Sequence, residues 1–138
     1  MIRRLIALAL LVTSLPLAAA DLIITDAWIK DLPAAVPMRA GYMSITNSGA
    51  MERSIVSLSS ESFMHIDIHQ SIEKDGMISM QPVHAFSIPP GKSMQLAPGG
   101  FHLMMMNPLQ PLSLGDQISV TLQFDDQSTQ IIQMVVRK

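Results

Sequence analysis

The chain has 138 residues, 49% of them hydrophobic, with nine Lys+Arg, eleven Asp+Glu and a formal charge of −2. That length supports one ordinary domain with a real core, and no basic patch or arginine-rich helix points to nucleic acid. The cysteine count is zero, which excludes disulfides, thiolate metal sites, thiol nucleophiles and a lipid-modified cysteine.

Residues 1–20, "MIRRLIALALLVTSLPLAAA", have the layout of a secretory leader. Arg3 and Arg4 form the basic head, Leu5 to Leu17 an apolar stretch too short to span a bilayer, and Ala18-Ala19-Ala20 a small-residue cleavage site. The expectation is an exported, periplasmic protein beginning near Asp21, with no membrane span once the leader is removed. Without Arg3 and Arg4 the remaining formal charge is −4.

From there, turn signals recur about every ten residues and helical periodicity is absent. Leu22 to Ile29 reads as a strand, followed by a loop from Pro33 to Pro37. "AGYMSITN" (40–47) and Arg53 to Leu58 follow as strands. "FMHIDIHQ" (63–70) alternates, with Met64, Ile66 and Ile68 on one face and His65, Asp67 and His69 on the other. Asp75-Gly76 is a two-residue hairpin signal, after which Met77 to Val83 returns. His84 falls in a connection. Ser93 to Leu96, "FHLMMM" (101–106) and the hairpin "QISVTLQF"/"TQIIQMVV" around Asp125-Asp126 complete the chain. Eight or so short strands at this spacing predict one all-β domain, residues 21–138, folded as an antiparallel β-sandwich.

The chemistry concentrates in two strands. In "FHLMMM", period-2 alternation puts His102, Met104 and Met106 on one face and Phe101, Leu103 and Met105 on the other. Phe101 and Leu103 read as core, so His102 and Met104 point away from it. A two-residue loop at Asp75-Gly76 sets Lys74 against Met77, Ser71 against Met80 and His69 against Pro82. His69 and Met80 then become diagonal neighbours on one face, while a four-residue loop would place them directly opposite; either register keeps them on the same face. Two imidazoles and two thioethers are uncharged, and the thioethers are soft. Zinc, calcium and magnesium gain little from such sulfur, whereas Cu(I) selects it. A blue-copper centre is excluded, because it needs a cysteine thiolate.

The spacing His69-x10-Met80-x21-His102-x-Met104 resembles the ligand motif of the periplasmic copper chaperones called PCuAC. "DGMISMQPV", "IPPGKSMQLAPGGFHLMMM", "PLSLGDQISVTLQF" and the early "DAWI" resemble segments of the same family, over residues 22–136 or so. The resemblance implies a cupredoxin-like Greek-key sandwich with His69, Met80, His102 and Met104 as copper ligands. It implies a non-enzymatic role as well, delivery of Cu(I) to the binuclear copper centre of cytochrome c oxidase, with the oxidase copper subunit or a thiol-bearing assembly factor as partner. Two departures stand out. Gln70 and Ser71 replace a further methionine that some members carry behind the first histidine, and no His/Met-rich tail follows Arg137-Lys138. No copper site on such a tail is expected.

The other soft or titratable residues read as ordinary structure. Met43, Met64, Met105 and Met134 alternate as core fillers, Met77 and Met94 as shielding or surface, and Met106 and His65 as bystanders on the ligand face. No nucleophile elbow or paired-carboxylate motif frames a catalytic reading. The remaining alternatives are a periplasmic copper buffer and a metal-free interaction module. A monomer is expected.

Overall fold

The computed structural model describes residues 21–138, so the leader expectation for residues 1–20 lies outside the described residues. Ten strands are present and no helix occurs among the described residues: β1 (Leu22–Lys30), β2 (Met38–Asn47), β3 (Arg53–Ser59), β4 (Phe63–Lys74), β5 (Met77–Val83), β6 (Phe86–Ile88), β7 (Ser93–Leu96), β8 (Phe101–Pro108), β9 (Gln117–Phe124) and β10 (Thr129–Arg137). The all-β expectation holds. The strands run in the order β5-β4-β8-β7-β2-β1-β10-β9-β3-β6, with β8 also bonded to β2 and β4 to β3. Through the single pair Leu58–Ile66, β3 returns to β4 and closes the sheet on itself.

The sheet includes two parallel pairings, β1 with β10 and β7 with β8. The purely antiparallel expectation is corrected to that extent. It also misses β6, because the three residues Phe86–Ile88 are too few to show alternation, yet they pair with Arg53–Ile55.

Inward-facing residues of every long strand fill the barrel. Ile29, Ile45, Leu103, Met105, Val120, Leu122 and Met134 have no or almost no exposure. Met43, Met105 and Met134 are core, as read from the alternation, and Met94 packs partly buried against it. Met64 is not: it is 69% exposed, while Phe63 is buried. The β4–β8 ladder passes from Phe63–Pro108 to His65–Met106, skipping a step, and Asn107 there has a φ of 50°. The local twist rotates Phe63 inward and Met64 out, and the larger apolar ring takes the buried place.

Gly41 shows how tightly β2 and β8 approach. A Cβ there would lie 3.1 Å from the Met105 sulfur and the Met134 methyl, and 3.2 Å from Cβ of Leu103. Leu103 itself sits opposite both Ile68 and Gly41 at full burial. Leu103→Ala should therefore cost about 2–5 kcal/mol in urea unfolding; a loss under about 0.5 kcal/mol, typical of surface positions, would contradict this packing.

Candidate metal centre

The site rests on three adjacent strands, β5, β4 and β8. Asp75 and Gly76 both have positive φ, 54° and 74°, the backbone that a two-residue hairpin with the strand twist demands. The register that follows pairs Lys74 with Met77, Ser71 with Met80 and His69 with Pro82. On the other side of β4, His69 stands directly opposite His102, and Asp67 opposite Met104. Directly opposed residues share a sheet face, as do residues two apart. All four residues of the spacing motif therefore lie on one face, on neighbouring strands, with Ile66, Ile68, Leu103 and Met105 on the core face behind them.

The geometry fits a metal. The imidazole centroids of His69 and His102 are 6.1 Å apart, with the rings tilted by 42°. Two imidazoles sharing one ion, at metal–nitrogen bonds of ~2.0–2.1 Å, place their centroids at most ~6.3 Å apart. Nδ1 of His69 is buried and has no hydrogen-bond partner, a costly state for a nitrogen that coordinates nothing. Nδ1 of His102 lies 3.3 Å from the Gly100 carbonyl. Donation of its N–H to that oxygen leaves Nε2 with a free lone pair, the usual way an outer hydrogen bond orients a ligating histidine.

Burial differs sharply among the four. His102 is 6% exposed although it faces away from the core, whereas Met80 on the sheet-edge strand β5 is 52% exposed. What covers His102 is a second layer of residues. A cleft of about 250 Å³ is walled by Met38, Tyr42, Met80, Pro98, His102 and Met104, among others. The 97–100 turn is held by the Gly100 N–H donating to the Ala97 carbonyl at 3.1 Å. Tyr42 packs on Trp28 at 4.7 Å between centroids, and burial raises its phenol above the ordinary value. It stays neutral and offers no anionic oxygen to a metal. Arg39, 4% exposed, donates to the carbonyls of Val36 at 2.7 Å and Met38 at 2.9 Å, latching the loop that forms the far wall.

Met38, Arg39 and Tyr42 were not legible as site residues, because β2 read as starting at Ala40 behind a proline loop. In fact Met38 already pairs with Met106 and Ala40 with Met104, and the Met38-x-Ala40-x-Tyr42 alternation was the available signal. His65 is exposed and hydrogen-bonds Asp67 at 2.8 Å, as a surface histidine does. His84 occupies a bend between β5 and β6. Among the described residues no three His, Cys, Asp or Glu side chains converge to hold a metal.

The fold is a cupredoxin-like β-barrel, and one of its outer faces carries two imidazoles and two thioethers on neighbouring strands. Residues 22–136 match the family model described as "Putative lipoprotein LpqE-like", and the chain belongs to that family. It is 35% identical over 115 residues to the "Putative lipoprotein Lxx21020" of Leifsonia xyli subsp. xyli, covering 83% of this chain and 68% of that protein. It is 31% identical over 98 residues to the uncharacterized protein RP573 of Rickettsia prowazekii, covering 70% of this chain and 54% of that one. Among solved structures, the copper-bound PCuAC domain from PmoF2 superposes with a TM-score of 0.73 at 20% identity, over 87% of this chain and 95% of that one. The solution structure of CuI-DR1885 from Deinococcus radiodurans gives 0.67 at 25% identity, over 81% and 75% of the two chains. The resemblance to the PCuAC family read from the spacing motif is borne out.

The hydrogen bond at His102 makes a direct prediction. Long-range 15N–1H NMR of the metal-free protein should show His102 with its proton on Nδ1; an Nε2–H tautomer would contradict the assignment of Nε2 as the donor atom.

Proposed function

We propose that this protein is a Cu(I) metallochaperone in which His69, Met80, His102 and Met104 hold the ion as cargo. The observation that carries the reading is the convergence of two imidazoles and two thioethers on one face, one of the imidazoles with a buried, unpartnered nitrogen. Two thioethers in four ligands favour a soft, reduced ion over zinc. With no thiolate and no anionic ligand, the centre keeps the positive charge of the ion and holds it without the strength of a cysteine site. That suits a carrier, since a thiol-bearing protein can take the copper from it down a gradient of affinity. CuI-DR1885 is by its description a Cu(I) form of the same fold, which supports the choice of ion.

The resemblance of the spacing motif favours the binuclear copper centre of cytochrome c oxidase as the destination, through the oxidase copper subunit or a thiol-bearing assembly factor. The periplasm is the matching compartment, reached by the leader in residues 1–20, and the lipoprotein descriptions of the relatives favour export. The chain itself has no cysteine to carry a lipid. Its role is binding and transfer rather than catalysis, and a single domain acting as a monomer is sufficient for it.

The histidines make the site releasable. Imidazole coordinates only through an unprotonated nitrogen, whereas a thioether carries no proton to exchange. Protons therefore compete with copper as pH falls, so affinity should drop toward pH 5. A Cu(I) competition titration should show one tightly held ion, little displacement by Zn(II), and a clear loss of affinity between about pH 7 and 5. His69→Met with His102→Met should bind more weakly and lose most of that slope. Equal slopes in both proteins, or equal competition by zinc, would overturn the assignment.

A further inference from the structure

The ligand face of β8 does not end at Met104. His102, Met104 and Met106 succeed one another at two-residue steps, about 6.6–6.8 Å apart along the strand. Their exposure rises from 6% at His102, through an intermediate value at Met104, to 36% at Met106. Across the β8–β2 ladder, Met106 faces Met38 directly, and Met104 faces Ala40. Opposed residues bring their Cβ atoms within about 4.5–5.5 Å, and the diagonal from Met38 to Met104 is about 7–8 Å. Three flexible thioethers thus form a triangle on the outer face, and Met38 and Met104 wall the same cleft as His102.

We propose that Met38 and Met106 form a second, weaker Cu(I) station at the mouth of the cleft, with Met104 as the ligand shared between it and the inner site. Neither residue belongs to the buried core, so gap-filling does not account for two facing methionines where any aliphatic pair would pack. Their thioethers are soft, neutral donors suited to Cu(I), which accepts as few as two ligands. Copper leaving the buried His102 along β8 meets Met104 and then the Met38–Met106 pair before it meets solvent. This deepens the metallochaperone reading and rests on it.

The test is a Cu(I) titration of the chain carrying 13C-methyl methionine, followed by NMR under reducing conditions. The first equivalent should shift the Met80 and Met104 methyls, and a second, weaker equivalent those of Met38 and Met106. The solitary exposed Met51, Met64 and Met77 serve as controls and should not move in that phase. Met38→Leu with Met106→Leu keeps the packing volume and should abolish the second phase while leaving the first intact. No second phase, a second phase that survives in the leucine variant, or equal shifts at the three control methionines would overturn the outer station. Failure of the first phase would instead overturn the metallochaperone reading itself.

Discussion

The register of β4 against β8 is the constraint on which the rest depends. Ile68 opposite Leu103 and Ile66 opposite Met105 put four apolar side chains into the core. The same ladder then has no choice but to set His69 against His102 on the other face. Because side chains alternate with a period of two, a one-residue slip of β4 would send His69 into the core and expose Ile66 and Ile68 to water. Such a slip would strand polar nitrogens and lose burial worth several kcal/mol. The hydrophobic core thereby enforces the metal geometry, and the hairpin at Asp75-Gly76 extends the enforcement to Met80 on the third strand.

The site is built by covering an outer face, not by hollowing out the interior. The cleft at His102 is walled by Tyr42, Pro98 and Gly99 of the 97–100 turn, and Leu32. That cover keeps water from one imidazole while Met80 stays half exposed on an edge strand. Met80 is thus open to solvent and His102 is shielded from it. The arrangement serves retention in transit and ligand exchange on contact, the two demands on a metal carrier.

Much of this was legible in the sequence because strand alternation is a strict local code. The facing pairs at the Asp75-Gly76 hairpin, the core identity of Leu103, Met43, Met105 and Met134, and the shared face of the motif residues all follow from counting by two. What escaped depended on non-local pairing. Nothing local in "FSI" announces that Phe86–Ile88 will bond to Arg53–Ile55. Met64 obeyed the alternation of the sequence yet lies exposed while Phe63 is buried, at the step where the β4–β8 ladder lacks a pair opposite Asn107. Met38 looked like the end of a proline loop, and only the β2–β8 ladder reveals that it continues the donor face.

The central claim is that the two histidines and two methionines of this face form one first coordination shell. Copper X-ray absorption spectroscopy on the protein loaded with a single equivalent of Cu(I) tests it most directly. The account predicts a mixed shell of two imidazole nitrogens and two sulfurs, with the sulfur contribution reduced by half in Met104→Leu. A shell of nitrogen and oxygen alone, or one unchanged by that substitution, would contradict it.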